Sequence, residues 1–211
     1  VWDTTHFSTY KIVPINAEGA EASYTDESGQ QQFGTLADAV EKAKAGSTIT
    51  LRQDCSIEEA ISVDKNLTID FGGNTVSSTA SGFDLAYNTE DSTLELKNGT
   101  LETASWGVWV QNGGKLTVAK DMTVRTTSQD GSKPAIAVEG NASTVTVYGK
   151  VYSDKSTAIS GIGNSNHAGS IINIAEGAHV ESTHSLGVYF PTIDGSLTVS
   201  GTVIGNTGIE I

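Results

Sequence analysis

Six segments of the chain are variations on one phrase: NLTIDFGGNTVSS, STLELKNGTLETA, KLTVAKDMTVRTT, STVTVYGKVYSD, SIINIAEGAHVEST and SLTVSGTVIGN. Each holds a short run that alternates apolar and polar residues, a polar turn, and a second such run. The leading apolar residues, Leu67, Leu94, Leu116, Val145, Ile172 and Leu197, lie 27, 22, 29, 27 and 25 residues apart. Every unit then closes on a third apolar run: GFDLAY, WGVWVQ, AIAVEG, TAISGIG, LGVYFP and TGIEI. A period of two within a run is the signature of a strand. Recurrence of three such runs at a period near 26 is the signature of a solenoid.

One turn of three strands cannot bury its inward side chains alone. A second turn stacked upon it pairs every strand with its copy, at about 4.8 Å per rung. The inward residues then form three columns: Leu67, Leu94, Leu116, Val145, Ile172 and Leu197; Val76, Leu101, Val124, Val151, Val180 and Val203; Phe83, Val108, Ile136, Ile159, Val188 and Ile209. Each such side chain stabilises the fold by roughly 1.5–3 kcal/mol when fully buried. The pattern predicts an all-β fold, a right-handed single-stranded parallel β-helix of about seven rungs with three short strands each. Gly73, Gly99, Gly149, Gly177 and Gly201 fall in the first corner, where a positive φ is expected.

Three regions follow. Residues 1–34 form a prelude in which HFSTYKIVP and EASYTD have weak strand character and DESGQQQ reads as a turn. Residues 35–46, TLADAVEKAKAG, predict the one helix. Thr35 is its N-cap, Asp38 completes an approximate capping box, and Leu36, Ala39, Val40 and Ala43 share one face. Lys42 and Lys44 suit its C-terminal dipole, and Gly46 supplies the stop. An uncovered β-helix end is an adhesive sheet edge, so the helix is expected to plug the N-terminal end of the stack. Residues 47–211 are the β-helix, and the closing NTGIEI, still strand-like, predicts truncation at the C-terminal end.

Charge narrows the partners. With 25 Asp and Glu against 12 Lys and Arg, the formal charge is -13. Such a surface repels nucleic acid, anionic membranes and uronic-acid chains, and leaves neutral glycans and cationic partners open. No run of 18 apolar residues is present, so membrane insertion is not predicted. No basic segment followed by an apolar one opens the sequence, so any signal peptide has been removed. The lone Cys55 allows no intrachain disulfide and, sharing parity with Ile57, is expected to be a buried, inert thiol.

GTLADAVEKAKAGSTITLRQD followed by ISVDKNLTIDFGGNTV resembles the entry segment of pectate-lyase-like right-handed β-helix regions. It is particularly similar to the β-helix repeat domains of large, secreted, cell-wall-associated bacterial surface proteins. The resemblance covers about residues 20–211 and implies a surface location and a monomer within a larger chain. It specifies fold more than function, since one scaffold carries lyases, hydrolases and adhesive stalks. Pectate lyases of this fold use a calcium-binding Asp cluster with a basic catalytic residue, and polygalacturonases an Asn-Thr-Asp and a Gly-His-Gly segment. The chain has no match to the latter two, and no Asp cluster accompanies Arg52 or Arg125.

Outward residues carry any chemistry. A glycosidase needs two carboxylates roughly 5–9.5 Å apart. Asp70 and Glu95 come nearest, on diagonal positions of adjacent rungs, but Lys97 should stand beside Asp70 and make a surface ion pair of it. His179 and Glu181 share an outward face with His184 in the corner beyond; two ligands make a weak metal site, and solvated surface residues are the plainer reading. No cofactor is implied. Thr ladders suggest ice binding, but Glu95, Lys150 and His179 interrupt them. The best positive signal is Trp106 and Trp109 in SWGVWVQN. Since Val108 and Val110 point inward, Trp109 should point out as a sugar-stacking platform. Gln111, Asp84, Glu139 and Tyr189 share its face, Tyr189 about 14 Å away across three rungs of 4.8 Å. The competing reading buries Trp109 under the prelude or under the corner loop 126–134. The function expected is a non-catalytic surface module, acting as stalk, adhesin or glycan-binding unit toward neutral polysaccharide or a host-surface glycan or protein. The alternative is a polysaccharide lyase or glycoside hydrolase.

Overall fold

The computed structural model describes residues 17–162 and 168–211; the expected strand character of HFSTYKIVP lies outside them. Strands β1 (Ala22–Thr25) and β2 (Gln31–Gly34) form an antiparallel hairpin, followed by the helix α1 (Leu36–Lys42). Asp26 holds the hairpin turn: its carboxylate accepts from the Ser28 amide and hydroxyl and from the Gln30 amide. These bonds lower its pKa to about 2.

Seven tiers follow. They run β3 (Thr48–Leu51), β4 (Cys55–Ile57) and β5 (Ile61–Val63); then β6 (Leu67–Asp70), β7 (Thr75–Ser78) and β8 (Phe83–Leu85); then β9 (Thr93–Lys97), β10 (Gly99–Thr103) and β11 (Val108–Val110). The fourth is β12 (Lys115–Val118), β13 (Met122–Thr126) and β14 (Ile136–Glu139), the fifth β15 (Thr144–Val147), β16 (Lys150–Ser153) and β17 (Ile159–Ile162). The sixth is β18 (Ile171–Ile174), β19 (His179–Ser182) and β20 (Leu186–Tyr189), the seventh β21 (Ser196–Val199), β22 (Thr202–Ile204) and β23 (Thr207–Glu210). Equivalent strands of successive tiers pair in parallel, giving three sheets that wrap one apolar stack. The fold is a parallel β-helix. Sheet one continues past β3 into the antiparallel β1 and β2.

All three inward columns are in the expected register. Leu67, Leu94, Leu116, Val145, Ile172 and Leu197 stand directly above one another. So do the Val76 and Phe83 columns through Val203 and Ile209. One outward register differs. Strand alternation in the sequence sets Thr50 opposite Thr68, whereas Thr48 stands there and Thr50 faces Asp70. The slip is by two residues, so every side chain keeps its face.

Two further expectations are corrected. The helix stops at Lys42, because Ala43 turns to an extended conformation and bridges Asp26 of the hairpin. Its N-terminus is as read: Thr35 accepts from the Asp38 amide, and Leu36, Ala39, Val40 and Ala43 are buried. The corner glycines are needed for two different reasons. Gly73 and Gly177 do have positive φ. At Gly99, Gly149 and Gly201 the neighbouring tier comes too close for a side chain, and a Cβ at Gly149 would overlap the Ala119 and Met122 carbonyls. The left-handed residue beside Gly99 is Asn98, φ 59°.

Candidate functional site

The third face presents the aromatic cluster. Alternation in β11 buries Val108 and Val110 and turns Trp109 outward, as read from the sequence. In the neighbouring tiers Trp109 stands beside Asp84 and Ala137, with Glu139 one outward position further along. The Trp109 indole N–H donates to Glu139 Oε2 at 2.9 Å. Trp106, in the loop before β11, packs edge-on against Trp109, ring centroids 4.2 Å apart and planes at 82°. Lys133, from the corner loop after β13, sits 4.8 Å over the Trp106 ring.

Trp109 is therefore half-buried and not the open platform expected. The residue points out, and Lys133 of the loop 126–134 reaches the ring of Trp106 packed against it. Ala137, outward in position, is buried in this neighbourhood. Trp106 Nε1 and Gln111 Nε2 are buried and find no acceptor among the described residues. A buried donor left so carries a penalty of about 1–3 kcal/mol.

Asp84 is half-buried, and loss of hydration, with Asp64 nearby, raises its pKa. The residues brought together are thus Trp106, Trp109, Asp84, Gln111 and Glu139. Tyr189 lies on the same face but three tiers off, with Ala137 and Ser160 between. Lys133 escaped sequence reading, because nothing in a loop's composition tells which ring it will cover. Ala86, placed on this outward face by alternation, is instead buried, with φ 59°, where the chain turns the corner.

The other candidates are occupied by their neighbours. Asp70 accepts from the Gly72 amide at 2.9 Å and Asn98 Nδ2 at 3.1 Å, and faces Lys97 at 3.6 Å. Glu95 accepts from the Thr68 hydroxyl at 3.3 Å. The sequence expectation of an ion-paired Asp70 is what the geometry gives. On the second face His179 Nε2 and Glu181 Oε2 are 2.7 Å apart, while His184 bonds the Asp154 carbonyl through Nδ1. Among the described residues no three His, Cys, Asp or Glu side chains converge on a metal-sized site. Arg125 bridges Glu102 and Asp154 on the same face. Burial pushes the Cys55 thiol up to about 12, so it remains protonated at neutral pH. No helix among the described residues is long and apolar enough to cross a membrane.

Comparison of the chain with protein-family models, curated proteins and solved structures yields no match.

Proposed function

We propose that the chain is a non-catalytic β-helix module of a secreted, cell-wall-associated bacterial surface protein, a stalk or adhesin whose third face binds neutral glycan. The observation that carries this reading is the outward cluster of Trp106 and Trp109 flanked by Asp84, Gln111 and Glu139. An aromatic surface with amides and carboxylates at its margin suits the alternating C–H faces and hydroxyls of a sugar. The formal charge of -13 favours neutral over acidic chains. The engagement of Asp70 and Glu95 by other side chains supports a binding rather than a hydrolytic role. The surface location and the pectate-lyase-like affiliation rest on the entry segment around residues 34–76.

The test is a glycan array with neutral and uronic-acid polysaccharides, followed by titration of the best ligand. Binding to neutral chains, weakened at least about tenfold in Trp109→Ala and less in Trp109→Phe, supports the reading. Failure to bind any neutral glycan, or binding indifferent to Trp109→Ala, overturns the glycan assignment. Release of reducing ends or unsaturated uronates would replace it with an enzymatic one.

A further inference from the structure

Among the described residues, sheet one is covered at the N-terminal end by β1, whereas sheets two and three begin at β4 and β5, with no strand on their outer side. Helix α1 lies across this end and leaves a groove of about 740 Å³ between itself and the β4–β5 edge. Val40, Ile57, Ala60 and Ile61 contribute its apolar surface. Ile57 and Ile61 keep 8% of their surface exposed, whereas Ile69 and Val76 of the next tier are fully buried.

The backbone of β5 is open toward this groove. In a parallel ladder, alternate residues direct both backbone groups to opposite neighbours. Ile61 donates its amide to Gly82 and Val63 accepts from Ala86, both in the second tier. The N–H and C=O of Ser62 therefore point the other way.

The rim is acidic. Glu41, Glu58 and Glu59 are exposed and enter no ion pair among the described residues. Among the described residues Asp64 is bonded to the neutral amide groups of Asn88, which do not offset its charge. Lys65, the one cation that lines the groove among the described residues, is turned to the end of α1, donating to the carbonyls of Glu41 and Ala43 at 2.7 and 3.1 Å.

An open strand edge, an apolar floor and unpaired carboxylates on the rim together select for one kind of occupant. We infer that this groove docks an extended basic segment of a partner protein, which adds beside β5, seats aliphatic side chains on Ala37 and Ala60, and meets Glu41, Glu58 and Glu59 with Lys or Arg. Addition of a strand supplies the backbone bonds, and alternation sends apolar and basic side chains to opposite sides.

The probe is the labelled heptapeptide acetyl-KVKIKVK-amide, titrated by fluorescence anisotropy into the full chain, with acetyl-KSKSKSK-amide as the charge-only control. The result expected is saturable binding of the first peptide, at least about tenfold tighter than the second, with slowed exchange of the Ser62 amide. Glu58→Gln/Glu59→Gln, two exposed changes that leave the melting temperature in place, should weaken it at least about threefold. Equal binding of both peptides would reduce the effect to bulk charge attraction and overturn the inference. Absence of binding, or indifference to the double substitution, would do the same. Concentration-dependent dimerisation that protects Ser62 without peptide would assign the groove to a second copy and overturn the basic partner.

Discussion

The first and seventh tiers of the stack are built from the same repeat and differ in how deeply its apolar residues are buried. At the first tier Ile49 and Val63 are completely buried, with α1 and the hairpin packed outside them. At the seventh tier Leu197, Val203 and Ile209 end the three inward columns and are only partly buried. Val199, at the end of the column that Ile49 begins, exposes 38% of its surface. Both are β-branched aliphatic residues of one column, so neither residue type nor column explains the difference. In a solenoid, burial comes from having a neighbour on both sides, and stability resides in the interfaces between tiers as much as within them.

The largest effect should break that comparison directly. Leu101→Ala, in the middle of the stack and fully buried, is expected to destabilise by about 2–5 kcal/mol. Leu197→Ala in the last tier should cost less than half as much, because its site is already partly solvated. Equal losses in denaturant melts would show that the last tier is as tightly held as the middle. Next comes the corner. Gly149→Ala should cost about 1–3 kcal/mol through overlap with carbonyls of the tier beneath. Gly201→Ala makes the same kind of overlap in the last tier, where the chain can yield, and should cost less. A third, smaller change probes the capped end: Thr35→Ala removes the N-cap of α1 and should cost about 1 kcal/mol. If melting is unaffected, the helix is held by packing alone.

The smallest effect concerns Asp84. Its pKa is raised in the folded chain by loss of hydration and by Asp64. Between its unfolded and folded values the native state holds more protons than the unfolded one, so stability falls as pH rises through that window. The penalty persists above it. Asp84→Asn should therefore be slightly stabilising at pH 7, within about 0.5 kcal/mol, with the difference gone below the unfolded value near 4. A variant less stable than the parent at pH 7 would mean that the carboxylate makes favourable contacts outweighing its desolvation.

The columns were legible because six copies of one phrase fix their mutual alignment, and period two assigns each residue a face. The first tier has no such phrase, and a slip of two residues preserves parity, so alternation alone sets Thr50 against Thr68 where Thr48 belongs. Helix and stop were both visible, yet the helix ends at Lys42 because Asp26, distant in sequence, claims Ala43. Corner glycines announce a constraint without its kind; φ explains Gly73, and close approach explains Gly149. For the candidate site, alternation gave the direction of Trp109 but not its cover. The bond from its indole to Glu139 joins residues 30 apart in sequence, and the ring of Trp106 reaches it from a loop.

The perpendicular setting of strands to the stacking axis has a mechanical consequence. A pull applied between the two ends loads the ladder bonds of one tier at a time, as in opening a zipper, and never all tiers together in shear. The weakest interface yields first. Each tier of about 26 residues, once released, extends at about 3.3–3.6 Å per residue in place of a rise of about 4.8 Å. The length record of a stretched molecule should therefore climb in steps of about 80–90 Å, at forces well below those that rupture a sheared sheet.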